Sequence, residues 1–126
     1  MSKRILVVED HEDNRRMLRD LLTSKGYEIL EAKTGMEGMR SAIANVPDLI
    51  LMDIQLPDLD GYDATRKIKA DTTLRGIPII AVTSYALSGD EAKAKEAGCD
   101  DYIAKPYSIR VLLAKVEENL AKRTVE

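Results

Sequence analysis

With 126 residues and a mass of 14.0 kDa, the chain has room for one domain of ordinary size, about 100 to 200 residues, whose single apolar core needs no disulfide or structural metal. Nineteen basic residues against 22 acidic ones leave a net charge of -3 and a pI near 5.3, which provides no basic field for a nucleic acid. One cysteine and one histidine exclude a disulfide framework and a Cys/His zinc set, and a lone thiol points to a reducing cytoplasm.

The first strand is expected over Ile5 to Val8, an apolar run of four residues that is too short for a signal peptide or membrane span. A soluble, cytoplasmic domain with no membrane or nucleic-acid partner is therefore expected. A helix from Asp13 to Lys25 follows, with Met17, Leu18, Leu21 and Leu22 at helical spacing, Asp13 as its cap and Gly26 as its stop. Glu28 to Ala32 reads as the second strand. Thr34-Gly35-Met36-Glu37 then has the spacing of a capping box, in which hydroxyl and carboxylate each satisfy an orphan amide at a helix start. Leu49 to Met52 is the third strand, and Gly61 beyond it reads as a turn residue needing unusual backbone angles.

Ile79 to Val82 is the fourth strand. Ser88-Gly89-Asp90-Glu91 repeats the capping-box pattern, and Gly98 would end a helix that offers Ala92, Ala94 and Ala97 but few large anchors. Cys99 is expected to pack as a small apolar group. A short strand, Tyr102 to Ala104, precedes a last helix from about Ser108 to Lys122, whose stripe is Ile109, Leu112, Leu113, Val116 and Leu120. The runs Ile5-Leu6-Val7-Val8 and Ile79-Ile80-Ala81-Val82 are apolar at every position, as in strands covered by helices on both faces. The expected fold is α/β, a doubly wound parallel sheet of five strands flanked by five helices, in one domain over 1–126 without an output domain.

In such a sheet, ligands collect beyond the carboxyl ends of the strands, beside the point where strand order reverses. In the common order 2-1-3-4-5 the first and third strands are neighbours, so Glu9, Asp10 and Asp53 would converge. Convergent carboxylates repel by about 4 kcal/mol per pair, at ~4 Å and an effective dielectric of ~20. A hard cation such as Mg²⁺ would offset that and neutralise a transferring phosphoryl group, while Asp53 supplies a carboxylate nucleophile. Thr83, after the fourth strand, can donate a hydroxyl hydrogen bond to a phosphoryl oxygen, and Lys105, after the fifth, can place an ammonium on another. Taken singly, each residue has a plainer reading. Glu9 and Asp10 could merely cap the first helix, Lys105 could be a solvated charge and Tyr102 simple packing, and His11 reads as exposed rather than catalytic.

Taken in order, Val8-Glu9-Asp10, Leu51-Met52-Asp53-Ile54-Gln55-Leu56-Pro57-Asp58-Leu59-Asp60-Gly61, Ala81-Val82-Thr83-Ser84 and Tyr102-Ile103-Ala104-Lys105-Pro106 resemble the motifs of two-component response-regulator receiver domains (CheY-like). The resemblance runs from about Arg4 to Lys122 and is most similar to stand-alone receivers of the cell-cycle DivK type. The order 2-1-3-4-5 is this family's own, so that part of the fold expectation is not independent of it.

The resemblance implies a phosphorylation-activated response regulator in which Asp53 accepts phosphate from a histidine kinase or histidine phosphotransferase. Asp10, Asp53 and the carbonyl of Gln55 would bind Mg²⁺ directly, and Glu9 through water. Thr83 and Tyr102 would form a switch pair, the hydroxyl moving toward the phosphate and the ring turning inward. Lys105 would hold the phosphate, positioned by a cis bond to Pro106. Gln55 and Tyr85 match positions that tune dephosphorylation in the family.

Output would pass to another protein through the face of the fourth helix, fifth strand and last helix, with Asp100, Asp101 and Arg110 available for cross-subunit pairs in a phosphorylation-linked homodimer if the chain is not a monomer. The switch would be a stoichiometric phosphoacceptor and not a turnover enzyme. A phosphatase of the haloacid dehalogenase type needs a second acid two residues after its nucleophile, where Gln55 stands. A flavodoxin-like or dinucleotide-binding module needs a phosphate loop after the first strand, where Glu9 and Asp10 would repel one.

Overall fold

The computed structural model describes residues 2–84 and 90–125. Five strands, β1 (Arg4–Val8), β2 (Glu28–Ala32), β3 (Leu49–Asp53), β4 (Ile79–Thr83) and β5 (Asp101–Ala104), alternate with five helices, α1 (Glu12–Ser24), α2 (Gly35–Asn45), α3 (Gly61–Ala70), α4 (Asp90–Ala97) and α5 (Ile109–Val125). Every ladder is parallel, in the order β2-β1-β3-β4-β5.

Alternation of side chains along each strand divides the core into two layers. Leu6, Val8, Ile50, Met52, Ile79 and Ala81 face α2, α3 and α4, where Ala42, Ala64, Ile68, Ala94 and Ala97 cover them. Ile5, Val7, Leu49, Leu51, Ile80 and Val82 face α1 and α5, covered by Leu18, Leu22, Leu112, Val116 and Leu120. Each fully buried Leu or Ile contributes about 1.5 to 3 kcal/mol of transfer free energy, so the central strands β1, β3 and β4, apolar on both sides, are the stiff part of the sheet. Among the described residues, no helix is long and apolar enough to cross a membrane.

Helix ends differ from expectation in instructive ways. The N-cap of α1 is His11, and Asp13 lies in the first turn beside Glu12, where both carboxylates favour the positive end of the helix dipole without capping it. Gly26 does end α1, at φ +92, and Gly98 ends α4 at φ +103. At α2 the Thr34 hydroxyl accepts from the Glu37 amide at 3.1 Å, but the Glu37 carboxylate reaches the Lys33 amide at 3.5 Å, one residue before the cap. The remaining orphan amides, Gly35 and Met36, donate at 2.9 and 3.0 Å to Asp58, from the loop after β3. Ser88 and Gly89, the start of the other expected capping box, lie outside the described residues.

Gly61 is not a turn residue of unusual φ: it opens α3 and is needed for space. A Cβ there would stand 2.3 Å from the Asp53 carbonyl oxygen and 2.7 Å from the Ile54 Cα. Two stripe residues also depart from expectation, since Met17 and Ile109 are 41% and 50% exposed. The inward position one turn before Leu18 belongs to Arg15, which is 7% exposed.

Candidate functional site

Sheet hydrogen bonding carries the chain past the ends of the strands and so places the site. Glu9 N donates to Ala32 O at 3.0 Å, Ile54 N to Val82 O at 3.1 Å and Lys105 N to Thr83 O at 2.7 Å. Asp53 and Thr83 are the last residues of β3 and β4, one longer than hydrophobicity suggested, because ladder bonds do not depend on side-chain polarity. The result is a depression at the carboxyl edge containing Glu9 and Asp53, each 3% exposed, with Thr83 fully buried beside them.

One carboxylate oxygen each from Glu9, Asp10 and Asp53, together with a ring nitrogen of His11, lie within 4.8 Å of one another. The Lys105 ammonium is 3.1 Å from Glu9 Oε1 and 3.8 Å from Asp53 Oδ2, and its peptide bond to Pro106 is cis. The Gln55 amide donates to Asp53 Oδ1 at 3.1 Å, which folds the loop over the carboxylate and leaves the Gln55 side chain exposed. Tyr102 is half-buried on β5, with its ring against the α2, α3 and α4 layer. It lies two residues before Ala104, the register partner of Thr83. Glu9, Asp10, Asp53, Gln55, Thr83, Lys105 and Pro106 thus come together at one sheet edge, Tyr102 lies two residues back along β5, and Tyr85 lies outside the described residues.

Crowding of acids with little solvent sets the electrostatics. Burial, and then the neighbouring Glu9, push the Asp53 carboxyl up to about 7. Burial also penalises Glu9, but its hydrogen bond with Asp53, the His11 amide and the Lys105 ammonium outweigh that and hold it below the ordinary carboxylate value. The two shifts run in opposite directions, so without a cation Asp53 is the member of the pair that holds a proton more readily. Asp10 Oδ1 is shielded from solvent and accepts no hydrogen bond among the described residues. A buried acceptor without a donor is costly, and a hard cation is a partner that suits the three carboxylates. The residues fit Mg²⁺.

Three contributors were not visible as site residues in the sequence. Arg15 donates from Nη1 to the Glu9 carbonyl at 3.0 Å and from Nε to Glu31 Oε1 at 3.3 Å, which pins the loop that carries Glu9 and Asp10. Its signal was a cation on the apolar stripe, at the spacing of Leu18 and Leu22. Asp58 ties the loop after Asp53 to α2 and had no local signal. Tyr107 has its hydroxyl pushed to higher pKa by burial and then by Glu9 and Asp53, so it borders the same depression.

Asp100 and Asp101, expected to be available for cross-subunit pairs, are committed within the chain. Asp100 holds Lys69 and the Ile79 amide, each at 2.8 Å, and Asp101 binds Lys115 and Asn119, each at 2.9 Å. Exposed Arg110 has no such commitment among the contacts of the described residues.

Comparison with known proteins agrees with this arrangement. The family profile of the Response regulator receiver domain matches residues 5–117. The polar-differentiation response regulator DivK of Brucella ovis is 42% identical over 120 residues, covering 95% of this chain and 98% of its own. Among solved structures, a CheY-like receiver domain protein of Methanospirillum hungatei superimposes with a TM-score of 0.92 at 34% identity, covering 98% of each chain. The receiver domain of a Pseudomonas aeruginosa sensor histidine kinase, with a magnesium ion coordinated in its active-site cleft, gives 0.89 at 40% identity, covering 96% of this chain and 99% of its own. Phosphorylation-activated signalling is the general function of such domains, and this chain belongs to the response regulator receiver domain family.

Proposed function

We propose that Asp53 is the phosphoacceptor of a Mg²⁺-dependent switch that takes its phosphoryl group from a histidine kinase or histidine phosphotransferase and signals by altered protein binding. The observation that carries this reading is the placement of a nearly buried Asp53 carboxylate opposite the Lys105 ammonium, in a pocket whose other walls are Glu9, Asp10 and Thr83. Bound at Asp10, Asp53 and the Gln55 carbonyl, with Glu9 one water further out, Mg²⁺ would supply positive charge against phosphoryl oxygens and the acids.

The residues of the chain do the rest. Asp53 attacks as the carboxylate: a bond from its oxygen to phosphorus forms as the P–N bond to the donor imidazole breaks, and the imidazole leaves with that electron pair and takes up a proton. Lys105 moves from its carboxylate partners to a phosphoryl oxygen, and the Thr83 hydroxyl donates to another. Withdrawal of Thr83 toward the phosphate leaves room on its face of β4 and β5 for the Tyr102 ring, which couples the site to the surface of α4, β5 and α5. The chain is modified stoichiometrically and returns to its starting state by hydrolysis of the acyl phosphate, so its product is a conformation.

Access supports a protein donor. Lys105, 3.8 Å from Asp53, also lines a pocket of about 600 Å³ with Met17, Pro106, Tyr107 and Ile109, of which Met17 and Ile109 are the apolar side chains that α1 and α5 leave exposed. A helix presenting a phosphohistidine would cover them. The test is incubation with Mg²⁺ and acetyl phosphate, followed by separation of phosphorylated protein. Labelling is expected in the native chain and absent in Asp53→Asn, and labelling that survives in the variant would move the acceptor elsewhere.

A further inference from the structure

We infer that His11 is an additional metal ligand in this chain, so that its acidic site takes a cation with affinity for imidazole, such as Co²⁺ or Ni²⁺, with a nitrogen in the coordination shell. The inference rests on the metal reading given above.

His11 is the N-cap of α1, yet its ring makes no capping hydrogen bond among the described residues; the backbone amide of this residue, donating to Glu9 Oε2 at 3.1 Å, does the local structural work. The ring instead turns over the acids. Its Nδ1 stands 3.4 Å from Glu9 Oε2 and 3.4 Å from Asp10 Oδ1. Those separations are long for N–H···O bonds, which cluster at about 2.7 to 3.2 Å. They are close to the edge of a coordination octahedron, roughly 3 Å between adjacent ligands when metal–ligand bonds are ~2.1 Å.

Asp10 Oδ1, one of the two oxygens so approached, is the solvent-shielded acceptor with no hydrogen-bond partner among the described residues. With the imidazole 70% exposed, a cation can enter from solvent without disturbing the core, and positions remain open for water or phosphoryl oxygen. Oxygen donors alone favour Mg²⁺, whereas an added imidazole selects for later divalent metals.

The experiment titrates Co²⁺ by its visible absorption and Mg²⁺ by calorimetry, in the native chain and in His11→Gln, which keeps the backbone amide. Loss of one imidazole ligand should weaken Co²⁺ by about tenfold or more and Mg²⁺ by less than about twofold. Because the chain holds a single histidine, proton NMR of the Co²⁺-loaded native protein gives an independent reading in which the ring signals should be strongly shifted. Equal Co²⁺ affinity in the two proteins, with unshifted ring signals, overturns the inference. So does an equal loss for both metals, since it would mean that the ring only holds the loop. A native chain that binds neither metal would instead overturn the metal reading beneath it.

Discussion

Replacing Asp53 by Asn removes a buried carboxyl that burial and Glu9 hold at a pKa of about 7, against 3.8 when unhindered. As pH rises, the unfolded chain releases this proton near 4, while the folded state keeps it until about 7. The metal-free protein therefore loses stability across that window, and the loss is complete above it. The gap corresponds to a ceiling of about 4 kcal/mol, at roughly 1.4 kcal/mol per tenfold change in proton affinity. Glu9 shifts the other way and returns part of it, so we expect Asp53→Asn to be more stable than the native chain by about 2 kcal/mol at pH 8 in EDTA, or about 5 to 10 °C in Tm. The Asn amide can donate to Glu9 as the protonated carboxyl did. Urea unfolding of both proteins from pH 4 to 8 measures the difference, which should shrink toward zero at pH 4. Adding Mg²⁺ should stabilise the native chain more than the variant, because the cation needs the charge that the substitution removes. A variant no more stable at pH 8, or a difference independent of pH, would refute the electrostatic account of the pocket.

Lys105→Met should slow labelling by acetyl phosphate about a hundredfold, as loss of a positioned donor to a developing anion does, while the domain stays folded; an unchanged rate would remove Lys105 from the chemistry. Arg15→Met leaves the Glu9 carbonyl without its donor at 3.0 Å, and should cost about 1 to 3 kcal/mol in urea unfolding and weaken Mg²⁺ severalfold by calorimetry. Gly61→Ala separates two physical effects by sign. Helix propensity alone predicts a gain of about 1 kcal/mol. The 2.3 Å approach to the Asp53 carbonyl predicts a loss of about 3 kcal/mol or more, which thermal unfolding should show.

The sheet and the positions of the site residues were legible because both follow from strand ends: hydrophobic runs mark the strands, and the polar residue that stops each run is the one left at the carboxyl edge. What remained hidden depends on partners far away in sequence. Asp58 carries no local signal among Pro57, Leu59 and Asp60, yet it caps a helix that starts 23 residues earlier. Apolar periodicity names the inward stripe of α1 without revealing that Arg15 takes one of its places, or that Met17 stays outside. For Gly61 the residue type was informative and the reason was not, because the close approach is to backbone on another element. Convergence of Glu9, Asp10 and Asp53 follows from strand order, whereas the direction in which each pKa moves depends on burial and on Lys105, which arrives from the far side of the sheet.

Gly61 and Asp58 together make the domain mechanically lopsided. On the α2 and α3 side, the acceptor's own carbonyl is backed against Gly61, Gly35 admits Leu59 to within 2.9 Å of where its Cβ would be, and a carboxylate bolts the connecting loop to a helix end. Across β4, the covering helix α4 presses on the sheet, among its described side chains, with nothing larger than Ala94 and Ala97. Strain introduced at Asp53 meets rigid backing in one direction and compliant packing in the other, so displacement should run toward α4 and β5.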